Sequence, residues 1–121
     1  RGLFTIKSTS AEGTSAFTTK AAMNANHPVF QGHFPGTPVL PGVCSLYLIR
    51  TCTELFLGCS LRYHRVESCK FTAMIDPLRN EVITVQGNIK KDEEGIQIKA
   101  LMLYGNSTVL KLQATMKEIT L

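Results

Sequence analysis

Hydrophobic and polar residues alternate along most of this chain. Residues 108–119 show it most cleanly, with Leu110, Leu112, Ala114 and Met116 on one side and Lys111, Gln113, Thr115 and Lys117 on the other. A period of two is that of a strand with one face in a core. Residues 96–104 repeat the pattern with Ile96, Ile98, Ala100 and Met102. Residues 3–9, 15–24, 61–75 and 81–90 read as four further strands. Phe17, Thr19, Ala21 and Met23 share a face in the second of these six, and Cys69, Phe71, Ala73 and Ile75 share a face in the third. Ala11-Glu12-Gly13, Asp76-Pro77-Leu78-Arg79-Asn80, Asp92-Glu93-Glu94-Gly95 and Gly105-Asn106 supply turns. Such short connections make antiparallel neighbours.

One segment departs from the alternation. From Pro41 to Leu57 the apolar residues Val43, Leu46, Leu48, Ile49, Leu55, Phe56 and Leu57 surround most of a helix, and Arg50 and Glu54 are its only charges. Gly58 follows as a stop signal. A helix apolar nearly all round must be enclosed. With only strands available, the sheet has to curl around it, so the pattern predicts an α+β domain over residues 1–121 with about six antiparallel strands around one long helix. Pro41 suits a first helical position, which makes Leu40 the N-cap. Leu40 has no side-chain acceptor, leaving the amides of Gly42, Val43 and Cys44 open to a polarised carbonyl or an anion.

Before the helix, Gly32 to Gly42 contain three prolines and three glycines in eleven residues. Proline fixes φ and glycine permits positive φ, so this is a shaped loop. Loops this long in compact domains are usually functional or disordered, and the prolines favour an ordered, functional one. His33 lies inside it.

Composition narrows the picture. The 121 residues are 44% apolar and 18% charged, which suits one globular core. Thirteen basic against nine acidic residues give a net charge of +4. The basic residues are scattered without a run, so nucleic-acid binding gains no support and an acidic partner fits as well. Residues 1–7 lack the apolar stretch of a signal peptide, and no apolar run is long enough to span a bilayer. A cytoplasmic protein is expected. Cys44, Cys52, Cys59 and Cys69 form no Cys-x-x-Cys pair, and no histidine stands at metal-ligand spacing from them. They read as reduced, small apolar residues.

The stretch His33-Phe34-Pro35-Gly36-Thr37-Pro38-Val39-Leu40-Pro41-Gly42 resembles the active-site loop of the 3-hydroxyacyl-acyl carrier protein dehydratases. The likeness continues upstream through Asn26-His27-Pro28-Val29-Phe30-Gln31-Gly32 and, more loosely, downstream at Lys70-Phe71 and Pro77. The resemblance implies a hot-dog fold and a dimer or higher oligomer, with each site shared between the histidine of one subunit and the helix of the other. It implies loss of water from a 3-hydroxyacyl thioester borne by an acidic acyl carrier protein that docks near a basic rim. Neither cofactor nor metal is expected.

Elimination needs a base at C2, an acid for the leaving C3 hydroxyl and a donor for the thioester carbonyl. His33 matches the family's catalytic histidine, a residue type that titrates near neutrality. Gly42 matches the glycine whose N–H holds the carbonyl. Phe34, Pro41 and Val43 are expected beside them, lining the substrate. The family's Glu or Asp, fourteen residues after the histidine, is Tyr47 here. A phenol can donate a hydrogen bond to a leaving hydroxyl, but it is a far weaker acid than a carboxylic acid. Glu54 stands seven residues further on, about 10 Å along the axis, too far to replace it. Three functions follow: a dehydratase with Tyr47 in the acid position, an impaired subunit that pairs with a carboxylate-bearing homologue, or a thioesterase. Structural readings stand beside these roles. Tyr47 can fill space and cap a carbonyl, His27 can fix the loop before Pro28, and His64 can be solvated. Arg50 and Glu54 can pair with each other or face a second subunit.

Overall fold

A computed structural model describes residues 2–31 and 38–120. Six strands and one helix follow in the order β1 (Phe4–Glu12), β2 (Ala16–Met23), α1 (Gly42–Leu57), β3 (Leu61–Phe71), β4 (Ile83–Asp92), β5 (Gly95–Tyr104) and β6 (Ser107–Glu118). All six strands join one antiparallel sheet in the order β1-β2-β4-β5-β6-β3. The curled sheet holds the helix against one face, which is the expected hot-dog arrangement. A 3₁₀ turn at Pro28–Phe30 interrupts the long loop after β2, and another at Pro77–Arg79 precedes β4.

The strand pattern is carried out closely. Phe17, Thr19 and Ala21 of β2 are buried, as are Ile96, Ile98, Ala100 and Met102 of β5 and Leu110, Leu112, Ala114 and Met116 of β6. On the helix, Ser45, Leu48, Ile49, Cys52 and Thr53 face this core. Phe56 meets Phe17 with ring centroids 5.1 Å apart. The Phe17 ring also fills the space over Gly87, its cross-strand partner, where a Cβ would lie 2.4 Å from Phe17 Cε2. The helix ends as expected at Gly58, in the left-handed region at φ 73°, whose N–H donates to Glu54 O at 2.7 Å.

Five expectations change. First, Pro41 is the N-cap and not the first helical residue, and Leu40 is tied elsewhere: its N–H donates to Ile75 O at 3.0 Å. Proline's extended ψ of 143° keeps it just outside the helix. Second, the Cys44 amide is not open, because it donates to Pro41 O at 3.0 Å in a tightened first turn. Third, one stripe of the helix is uncovered. Val43 is 73% exposed, Tyr47 49% and Leu55 60%. A single sheet face reaches only one side of a helix cylinder. Fourth, β3 stops at Phe71, so its supposed inner face dissolves: Phe71 and Ala73 are exposed, and Ile75 is buried from the following loop. Fifth, Thr115 points outward yet is fully buried. Its hydroxyl lies 2.9 Å from Glu67 Oε2 and 2.8 Å from Gln97 Oε1, and these neighbours cover it.

Candidate active site

The first turn of α1 leaves the N–H groups of Gly42 and Val43 without intrahelical acceptors, and among the described residues no side chain caps this end. The positive end of the helix therefore retains donors, as a carbonyl-holding site requires. Gly42 has a steric role as well. A Cβ there would lie 2.7 Å from Phe71 Cζ, so the aromatic ring lies over its backbone.

The residues singled out from sequence fall into two hollows. Pro41 and Gly42 line one of about 320 Å³, together with Ser45, Phe71, Met74 and Ile75. Val43 and Tyr47 line another of about 330 Å³ with Leu3, His27, Val29 and Cys44. Tyr47 and Val43 are neighbours because they stand four residues apart on one helix face. Pro41 and Gly42, at the start of the same helix, line the other hollow. His33 and Phe34 lie outside the described residues.

Two polar groups, His27 and Cys44, line the hollow with Tyr47, and Arg50 approaches the Tyr47 ring. The guanidinium of Arg50 lies 5.4 Å from the Tyr47 ring centroid, within cation–π range. His27 caps the 3₁₀ turn: its Nδ1 accepts from the Val29 N–H at 3.0 Å, so a neutral His27 carries its proton on Nε2. Its loop-fixing role is thus real, and it lines the hollow as well. Burial pushes the Cys44 thiol up, which keeps it protonated and a poor nucleophile near neutrality. No carboxylate lines this hollow among the described residues.

Arg50 and Glu54 do not pair with each other. Arg50 Nη1 donates to Leu61 O at 3.3 Å, and Glu54 Oε2 accepts from Leu61 N at 2.7 Å. Both helix charges are thereby used to hold the start of β3. Tyr63 donates to Leu46 O at 2.7 Å, and burial holds its phenol well above the usual tyrosine range, so it is an anchor. His64 is exposed, as a solvated residue should be. All four cysteines are free. Among the described residues no three of His, Cys, Asp and Glu gather closely enough to hold a metal, and no helix is long and apolar enough to cross a membrane.

Sequence reasoning named the Cys44 amide but missed its side chain, and Leu3, Val29 and Phe71, as site-forming, and assigned His27 to the loop alone. The signal for His27 was its place before Pro28 in a stretch leading into the long motif. Phe71 carried a weaker one, its place in the Lys70-Phe71 dipeptide.

Comparison with solved structures finds the same arrangement of sheet and helix in other proteins. The dehydratase heterocomplex ApeI:P from Xenorhabdus doucetiae superposes with a TM-score of 0.76 over 93% of this chain and 96% of that one, at 15% identity. A protein of unassigned role from Erwinia carotovora subsp. atroseptica superposes with a TM-score of 0.72 over 95% of this chain and 94% of its own, at 18% identity. In sequence, residues 8–112 match the ApeI-like family, described as ApeI dehydratase. The chain belongs to the ApeI-like dehydratase family. The 3-hydroxyacyl-[acyl-carrier-protein] dehydratase FabZ of Syntrophomonas wolfei is 28% identical over 102 residues, covering 74% of this chain and 71% of that protein. FabZ of Ruegeria is 34% identical over 74 residues, covering 51% of this chain and 46% of that protein. FabZ of Latilactobacillus sakei is 35% identical over 81 residues, or 61% and 58%. The matches thus span from under half to about seven-tenths of these relatives.

Proposed function

We propose that this chain forms the active site of a 3-hydroxyacyl thioester dehydratase, acting in the cytoplasm as one domain on substrates presented by acyl carrier protein. In the reaction His33 takes a proton from C2. The C2–C3 double bond forms as the C3–O bond breaks, and the leaving hydroxyl takes a proton from Tyr47 to depart as water. The Gly42 N–H holds the thioester carbonyl as charge develops on it. The observation that carries this reading is the hollow in which the Tyr47 phenol stands with no carboxylate among its described lining residues. Membership of a dehydratase family supports the reaction class.

A second reading rests on the open helix stripe. Val43, Tyr47 and Leu55 expose a large apolar surface on the element that bears the site. A second subunit laid on this stripe would complete the hollow, and a homologue with Glu or Asp at the Tyr47 position would bring the missing acid. The similar Xenorhabdus dehydratase is itself a heterocomplex.

Turnover of a 3-hydroxyacyl thioester by the purified chain separates the readings. If Tyr47 is the donor, the unmodified protein is active and Tyr47→Phe loses activity by a factor of about 100 to 10,000. If the chain instead supplies His33 to a partner, it is inactive alone, active on mixing with a carboxylate-bearing homologue, and gains activity in Tyr47→Glu. An active protein indifferent to Tyr47→Phe refutes the assigned role of Tyr47. Release of free thiol without enoyl product would mark a thioesterase.

A further inference from the structure

The sheet has an outward face, turned away from α1, and its two ends differ in charge. At one end Arg65 is balanced twice: its Nε donates to Glu67 Oε2, and its Nη2 donates to Glu94 Oε2 at 3.0 Å. The Arg65 hydrogen bond holds the Glu67 carboxyl below the usual range. At the other end stand three exposed lysines. Lys70 on β3 lies directly opposite Lys111 on β6, and Lys99 on β5 lies opposite Gln113, diagonal to Lys111. Among the described residues, the ion pairs are Arg65–Glu67, Arg65–Glu94 and Arg79–Glu81, and none involves these lysines.

Like charges directly opposite on a sheet are destabilising, at Cβ separations of about 5 Å. The lysines surround a hollow of about 470 Å³ whose other polar walls are neutral, with Gln86 and Asn88 from β4, Gln113 from β6 and Ser68 from β3. Each ammonium offers three donors, and the amides and the hydroxyl add more. No carboxylate lines the hollow among the described residues. It is therefore a cluster of donors and positive charge with no counter-charge in its described walls.

We propose that this hollow binds a small molecule carrying two or more phosphoryl groups. Such an anion relieves the repulsion between Lys70 and Lys111 and takes hydrogen bonds from the neutral rim. A compact ligand fits better than an acidic protein surface, which needs about 800 Å² on each partner. Such a surface would run into Glu67 and Glu94 on the same face. A single-stranded nucleic acid would want aromatic platforms, and none lines the hollow among the described residues. The proposal stands on the outward face alone and is independent of the dehydratase reading.

The test is titration of the chain with inorganic pyrophosphate at constant ionic strength, followed by backbone amide NMR shifts and by melting temperature. Saturable shifts at residues 68–70, 99–101 and 111–113, with a midpoint at or below about 1 mM, are expected. Lys111→Gln and Lys70→Gln should each weaken binding at least about tenfold while melting no lower than the parent, since each removes a like-charge contact. Lys91→Gln, outside the hollow, should bind as the parent does. Non-saturating shifts, or equal weakening by Lys91→Gln, would reduce the effect to net charge and overturn the site. Saturation by an oligoglutamate peptide that pyrophosphate cannot displace would overturn it in favour of a protein partner.

Discussion

Gly87 and Gly42 each meet an aromatic ring, and the freedom of that ring decides what each glycine tolerates. Phe17, over Gly87, is 2% exposed and packed at a tilt against Phe56, so it has nowhere to go. Gly87→Ala is expected to destabilise the fold by about 1–3 kcal/mol through overpacking, read as a fall in melting temperature. Phe71, over Gly42, is half exposed and can swing outward. Gly42→Ala should therefore melt close to the parent, while the displaced ring opens the hollow beside the helix end. Cys52 gives a pH signature. Burial pushes its thiol from the ordinary 9.0 to about 11, so above pH 9 the unfolded chain loses this proton while the folded chain keeps it. The contribution is full below pH 9 and fades as pH rises toward 11, by about 2–3 kcal/mol in all. Denaturant melts across this window should show the decline, and Cys52→Ala should make it shallower, with the buried Tyr63 phenol supplying part of what remains. Such residue-scale features were only partly legible. The glycine in each strand or helix start could be seen, but not which ring would fill its missing side chain. Thr115 likewise read as solvated, because alternation reports the face of a sheet and not what neighbouring side chains lay over it.

At the scale of elements, the start of β3 is tied to α1 twice through Leu61, beside the Tyr63–Leu46 anchor. Leu61 is fully buried, its N–H donates to Glu54 and its carbonyl accepts from Arg50. Glu54→Ala strands a buried N–H and is expected to cost about 1–3 kcal/mol. Glu54→Gln keeps an acceptor oxygen and should lose less. Equilibrium unfolding of the two variants checks the order. The strands were legible because a period of two over eight or more residues admits few alternatives. Charges four apart on a helix suggest a pair on its surface, but the nearby backbone of β3 offered both a better partner. The ends of elements were least legible. The apolar alternation continues past Phe71 through Ala73 to Ile75, yet the chain leaves the sheet there. The Thr72 N–H donates to Val109 O, and Leu40 takes the Ile75 carbonyl.

For the whole molecule, the open stripe on α1 is the largest departure from what the sequence implied. A helix apolar all round was expected to be enclosed by its own sheet, and the sheet encloses half. The other half is expected to be covered by a second copy or a homologue. The parent should elute as a dimer or larger in size-exclusion chromatography. Val43→Glu, which places a charge on the most exposed apolar residue of that stripe, should shift it toward monomer with unchanged far-UV circular dichroism. One helix among six strands made the hot-dog architecture legible as one candidate, and the long motif singled out that fold and the family. The grouping of Tyr47 with His27 and Cys44 was not, because it depends on how the loop after β2 returns across the helix.

The strand order also sets a sequence of events during synthesis. β3 has one neighbour in the sheet, β6, and β6 is the last of the six strands to be made. At about 5–20 residues per second, roughly 2–10 seconds pass between translation of Phe71 and of Glu118. For that interval β3 has no strand to pair with, and the helix it helps to hold has an incomplete wall. The nascent chain therefore carries its most apolar segment without full cover until β6 leaves the ribosome. That makes this interval the one in which a chaperone, or a partner subunit already folded, has the most apolar surface to grasp.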